Sequence, residues 1–207
     1  MKKVILAVLV VLLAVASVSA SEVELGVKTG FAFEWFKEKN NPNYPDSFSG
    51  KSFPLILEVG CYFDEPHKIG VKAGVEFGLS TSLSHNKEKL SEYSKTLFTA
   101  SPFVEFAYRF TIDDLFSIGT GLGVRYRTFG RSGDEGKIIK STFDLIGDLF
   151  GEFGLNEKMS LAVGARLGLG VAGKIKYVLN SSNADDPYYL NGVNFSIMPM
   201  VNFIYKI

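Results

Sequence analysis

The chain has 207 residues, 46% hydrophobic and 21% charged, which excludes a disordered tail and a collagen-like fibre. Lys plus Arg and Asp plus Glu number 22 each, so the basic excess of a nucleic-acid binder is missing. A single cysteine, Cys61, leaves no room for a disulfide framework or a multi-cysteine zinc site.

In chain order, Met1-Lys2-Lys3 is a basic start, Val4 to Ala16 is unbroken apolar sequence, and Ser17-Val18-Ser19-Ala20 has short side chains. This is the layout of a secretory signal peptide. As a helix the 13 apolar residues reach about 20 Å, short of a hydrocarbon core of about 30 Å. Cleavage is expected after Ala20, which divides a signal peptide at 1–20 from a barrel domain at 21–207. No cysteine sits at the cut to take a lipid.

Beyond that point apolar residues recur at every second position, the period of a strand with one oily face. The first segment, 22–36, sets Val23, Leu25, Val27, Phe31, Phe33 and Trp35 against Glu22, Glu24, Lys28 and Glu34. In 53–63, Phe53, Leu55, Leu57, Val59, Cys61 and Phe63 oppose Glu58 and Gly60. In 69–80, Ile69, Val71, Val75, Phe77 and Leu79 oppose Lys72 and Glu76. Segment 98–110 sets Phe98, Val104, Phe106, Tyr108 and Phe110 against Glu105 and Arg109. Segment 116–129 sets Phe116, Ile118, Leu122, Val124 and Tyr126 against Arg125 and Arg127. In 142–154, Phe143, Leu145, Leu149 and Phe153 oppose Asp144, Asp148 and Glu152. In 159–172, Leu161, Val163, Leu167, Leu169 and Val171 oppose Arg166 and three glycines. The last, 193–207, sets Val193, Phe195, Ile197, Val201, Phe203 and Tyr205 against Asn194, Asn202 and Lys206. None of the apolar-phase positions is charged. With the phase of each segment chosen freely, chance gives that about once in a thousand.

Eight such strands predict an all-β, eight-stranded antiparallel up-and-down barrel. A soluble barrel would carry the apolar face inside, but a cylinder of eight strands has no room for so many Phe side chains. Glycines gather on the charged face, as a narrow lumen requires. Short connections (64–68, 111–115, 155–158) alternate with long ones (37–52, 80–97, 130–141, 173–192), and aromatics gather near strand ends. These features predict a transmembrane barrel with apolar residues facing lipid. Pro102 and Pro199 are expected near a strand end or bulge.

The export signal, amphipathic strands and short-long alternation resemble the small OmpA/OmpX-type outer-membrane barrels and the small outer-membrane proteins of spirochaetes. The resemblance is one of architecture and covers the whole mature chain. It implies a bacterial outer-membrane location, contact with lipid, and insertion by the barrel-assembly machinery. Such proteins usually end in Phe, whereas this chain ends Phe203-Ile204-Tyr205-Lys206-Ile207.

Nine acids and eight bases face inward, the bases being Lys28, Lys72, Arg109, Arg125, Arg127, Arg166, Lys174 and Lys206. Buried charges must pair or neutralise. The expected site is therefore a structural lumen network built on Glu58, Lys72, Glu76, Glu105, Arg109, Arg125, Arg127, Asp144, Asp148 and Arg166. Asp144 and Asp148 lie about 13 Å apart along a strand, too far for a glycosidase pair.

No catalytic group, cofactor or metal is expected, and the chain is read as not an enzyme. Some barrels of this kind modify lipid with a His, a Ser and an acid. Here His85 in Ser82-Leu83-Ser84-His85-Asn86 and His67 in a turn read as ordinary loop residues. Asp134-Glu135 and Asp185-Asp186 read as isolated loop acids, and Cys61 as an inert residue on the lipid face. The expected role is structural or surface-interacting, with host or envelope components met through loops 37–52, 80–97 and 178–192. These loops bring Tyr44, Phe48, Tyr93, Tyr188 and Tyr189. The alternative is a narrow porin-like or OmpW-like channel for small or hydrophobic solutes.

Overall fold

The computed structural model describes residues 20, 22–37, 47–63, 67–86, 88–134, 136–179, 188–189 and 194–207. The expected signal segment at 1–19 and loop residues 38–46, 180–187 and 190–193 lie outside the described residues. The strands are β1 (Glu22–Gly30), β2 (Ala32–Lys37), β3 (Ser47–Tyr62), β4 (His67–His85), β5 (Glu88–Lys89), β6 (Lys95–Thr96), β7 (Phe98–Thr111), β8 (Phe116–Ser132), β9 (Gly136–Asn156), β10 (Met159–Leu179), β11 (Tyr188–Tyr189) and β12 (Asn194–Lys206).

β1 and β2 are two halves of one stave, since both pair with β3 on one side and β12 on the other. Around the sheet the order continues β3–β4–β7–β8–β9–β10–β12, antiparallel throughout. β12 returns to β1, which closes an eight-stave cylinder. All eight expected segments are strands.

The short turns are built by single side chains. Asp113 Oδ1 accepts the backbone N–H groups of Leu115 (2.8 Å) and Phe116 (2.7 Å). Asn156 Oδ1 does the same for Lys158 and Met159, both at 2.9 Å. At the opposite rim the connections are shorter than expected. β3 starts at Ser47, β4 runs to His85, and β8 and β9 leave only 133–135 between them. The ladder continues past the last apolar side chain because backbone pairing does not need an oily face.

The prolines mark ladder interruptions. Pro199 on β12 and Pro54 on β3 flank the break at Phe31, whose N–H reaches the Pro199 carbonyl at 3.3 Å. A Cβ on Gly30 would collide with that carbonyl oxygen. Pro102 sits where the β7–β8 ladder stops, one residue beyond the Phe103–Arg125 pair.

Two bulges reverse the alternation. β4 carries an extra residue, Thr81, opposite the Lys51–Ser52 step. β10 carries Val171 between the Gly170–Asp144 and Ala172–Phe143 pairs. An inserted residue flips every later side chain to the other face. Beyond Val171, Lys174 is exposed and Ile175 is fully buried, which corrects the expectation that Lys174 faces inward.

Large apolar side chains cover the exterior on every stave, with Phe106 at 74% and Leu122 at 72% exposure. Leu25, Leu57, Ile69, Leu145, Leu167 and Val201 belong to the same belt. A soluble monomer does not carry an encircling patch of this kind.

Candidate functional site

The inward phase of β9 reads Glu152, Phe150, Asp148, Ile146, Asp144, Thr142, Lys140, Ile138, all buried. Ionic and apolar residues therefore take turns along the barrel axis. Among the described residues three ionic layers alternate with three apolar ones, and each ionic layer holds three acids and three bases.

The layer at the short-turn rim centres on Arg109. Its guanidinium grips Glu24 with two bonds of 2.7 and 2.6 Å and also reaches Glu22 (3.1 Å) and Glu152 (3.0 Å). Lys68 bonds Glu22, and Lys206 lies 3.5 Å from Glu152. A recess of about 280 Å³ opens here, lined by Lys68, Arg109, Asp113, Asp114, Glu152 and Lys206 among others.

In the middle layer Asp148 holds Arg166 by bonds of 2.6 and 2.8 Å and Lys28 at 3.0 Å. Arg166 also reaches Glu105 (3.0 Å), and Lys28 reaches Glu58 (2.7 Å). Glu58 draws Lys72 to 3.9 Å and accepts the Asn202 amide at 3.2 Å.

In the outer layer Arg125 bridges Glu76 (2.6 Å) and Asp144 (2.7 Å) and donates to Ser196 (3.2 Å). Glu34 takes Arg127 at 2.8 Å and Lys140 at 3.0 Å, and Arg127 lies 3.9 Å from Glu76.

The apolar layers sit between and above these ions. Phe150, Ala162 and Ile204 lie between the rim layer and the middle one on the β9, β10 and β12 staves, while the buried Tyr62 ring lies between Arg109 (4.5 Å) and Lys72 (5.8 Å) on β3. Ala32, Ile56, Phe103, Ile146, Met198 and Met200 separate the middle from the outer. Phe36, Phe48, Leu83, Tyr93, Phe129, Ile138 and Ile175 cap the outer mouth. Their rings lie against the cations: Phe150 is 4.5 Å from Lys72, Phe103 is 4.4 Å from Arg166, and Phe36 is 4.4 Å from Lys140. Such contacts stabilise a desolvated cation by about 2 kcal/mol.

The cap includes part of an expected loop. A 3-10 turn at Ser91–Tyr93 folds Tyr93 into the mouth. Arg131, itself buried, donates to the carbonyls of Tyr93 (2.9 Å), Ser80 (2.6 Å) and Ser94, and to the Thr96 hydroxyl (3.5 Å). Nearby, Lys95 bonds Asp134 at 2.6 Å, and this hydrogen bond holds the Asp134 carboxyl below its ordinary pKa.

All ten residues read from the sequence as the lumen network are buried and in contact with an opposite charge. Asp144 and Asp148 belong to different layers. Sequence reasoning missed Lys68, Lys140 and Arg131, which fall in segments read as turn or loop. It also missed the inward apolar ranks. Ile56, Phe103, Ile146, Met198 and Ile204 sit in the charged phase, so the signal that marks them is present in the sequence itself.

His85 closes β4 and stacks on Phe48 with centroids 4.7 Å apart, beside Asn86. His67 is the first residue of β4. Cys61 stands in the outward phase of β3, in register between Val23 and Val71, and is fully covered by its neighbours. Tyr44, Asp185 and Asp186, and Glu135 lie outside the described residues.

No protein-family model and no curated protein matches this chain. Solved structures do. The outer membrane protein OprG from Pseudomonas aeruginosa aligns with TM-score 0.54 and 14% identity, covering 91% of this chain and 97% of that one. A major outer membrane protein from Thermus thermophilus aligns with TM-score 0.54 and 13% identity, covering 89% and 99%. The fold is that of an outer-membrane β-barrel. The apolar belt around a closed cylinder puts the chain in the bacterial outer membrane, in contact with its lipid.

The expectation that the chain is not an enzyme is corrected. The outer membrane protease OmpT from Escherichia coli is also similar, with TM-score 0.44 and 10% identity over 90% of this chain and 95% of that one. A barrel of this architecture does not by itself exclude catalysis. A likeness of that degree assigns no activity to this chain.

Proposed function

We propose that this is a non-conducting outer-membrane barrel whose role is structural and surface-interacting. The alternation of ionic and apolar layers carries that reading. A conducting pore needs a continuous polar path. Here the clusters of Phe150 with Ile204 and of Phe103 with Ile146 are buried among the charges, and that of Phe36 with Phe129 is buried above them. Each ionic layer is also neutral as a unit, so no net field draws a solute inward.

Contacts with host or envelope components are proposed for segments 37–52, 80–97 and 178–192, above a rigid wall. Residues 1–20 are proposed as the export signal, 21–207 as the barrel domain, and the barrel-assembly machinery as the inserting partner.

The test is single-channel recording in planar bilayers with barrel whose gel mobility shifts on boiling. No steady unitary current is expected. A reproducible open level would overturn the proposal in favour of the second reading, a narrow channel for small or hydrophobic solutes. That reading draws its support from the apolar lining of the outer mouth.

A further inference from the structure

The bulge at Val171 decides where two lysines point. Had the alternation of β10 continued, Lys174 and Lys176 would face the lumen, where the ionic layers already balance. The extra residue turns them outward instead, with Lys174 exposed and Lys176 half-buried. Lys137 on β9 is exposed on the same outer wall. In the β9–β10 ladder Lys174 pairs with Ser141, Lys176 with Ile139, and Val178 with Lys137. Lys176 and Lys137 are thus diagonal neighbours, about 7–8 Å apart in a sheet of this kind.

The height of this group is set by the belt below it. Tyr126 (41% exposed) and Phe143 (44% exposed) are cross-strand partners on the outer wall. Ser141, the partner of Lys174, is two residues above Phe143, or about 7 Å along the strand. An amphipathic aromatic below a lysine marks the passage from acyl chain to headgroup. Among the described residues the other outward positions of β8–β10 here are Thr128, Gly130, Ser132, Ile139, Ser141 and Val178, none a carboxylate, and Lys174 pairs on its other side with Tyr189. Asp134, at the β8–β9 turn, is engaged by Lys95. Three like charges on one sheet face repel unless an anion lies between them.

We propose that Lys137, Lys174 and Lys176 bind the phosphate groups of anionic lipid in the leaflet at the long-loop rim. The inference rests on the barrel's place in a bilayer and not on the closed lumen.

The experiment uses the barrel reconstituted in phosphatidylcholine vesicles with trace spin-labelled phosphatidic acid or spin-labelled phosphatidylcholine. The fraction of motionally restricted label is read for each lipid. The wild-type barrel is expected to favour phosphatidic acid severalfold. A triple variant, Lys137→Gln, Lys174→Gln and Lys176→Gln, should bring the ratio close to one while keeping its heat-modifiable gel shift. If the triple variant loses that shift, Lys174→Gln alone is read, with a partial fall expected. A control triple, Lys37→Gln, Lys51→Gln and Lys89→Gln, should leave the preference unchanged.

The proposal is overturned by a wild type without preference, by a site variant that keeps it, or by equal loss in the control. Displacement of the lipid by inorganic phosphate at matched ionic strength would overturn the lipid as source and leave a soluble phosphate site.

Discussion

Arg166 on β10 and Asp148 on β9 are direct cross-strand partners, joined by bonds of 2.6 and 2.8 Å with both side chains almost wholly removed from solvent. Desolvating an ion costs several kcal/mol, and the pair recovers this only while both members are present. Asp148→Ala leaves Arg166 with Glu105 as its one remaining acid partner and removes one of two close partners from Lys28. We expect a loss of about 3–5 kcal/mol in urea-induced unfolding from lipid vesicles. The double variant Asp148→Leu, Arg166→Met should lose clearly less than the two single changes combined. Additive losses would mean that the two residues are not coupled.

Gly119 and Phe150 test the fit of large and small residues inside. A Cβ on Gly119 would collide with the Phe150 ring, which faces it across the β8–β9 pair. Gly119→Val should cost about 1–3 kcal/mol through overpacking and lower the folded fraction on gels. Adding Phe150→Ala should recover part of the loss. A single variant as stable as wild type would show that the ring moves aside freely.

The Val171 bulge makes a directional prediction. In a Cys61→Ala background, a thiol from Lys174→Cys should react quickly with a membrane-impermeant maleimide. Deleting Val171 removes the extra residue and makes the Gly170–Asp144 and Ala172–Phe143 pairs consecutive, so position 174 keeps its partner Ser141 and its outward face, and its labelling should stay fast. A tenfold or greater fall in labelling would show that Val171 is not the extra residue and that the ladder beyond it shifts by one.

Arg131 pins the outer-mouth segment through the carbonyls of Ser80, Tyr93 and Ser94. Arg131→Ala should raise hydrogen exchange across 90–96 and speed tryptic cleavage after Lys89 or Lys95, with the gel shift of the barrel intact. The Lys95–Asp134 bond acts on the same segment. Because the bond depresses the Asp134 pKa, its contribution is complete above the ordinary aspartate value and disappears as pH falls through the depressed one. Protection from exchange at 95–96, taken relative to the intrinsic amide rate at each pH, should therefore fall in acid in wild type and be insensitive to pH in Asp134→Asn.

Much of this protein is legible in a single period. An alternation of two residues is local chemistry, so segments such as 22–36 and 142–154 declare both their strands and their faces without any partner. The inward position of Asp148, Arg166 and Arg125 follows from the same alternation. What the alternation cannot carry is which strand stands beside which, and where one residue too many reverses the phase. Val171 looks like one more apolar position in a regular strand. Only its place between two ladder pairs shows that Lys174 turns outward and Ile175 inward. Closure likewise brings Phe150 and Ile146 among the ions of seven other staves, and sets Lys140 against Glu34, 106 positions away in the chain. Register and closure depend on contacts far apart in sequence, so the tertiary structure alone decided how the charges are paired and layered.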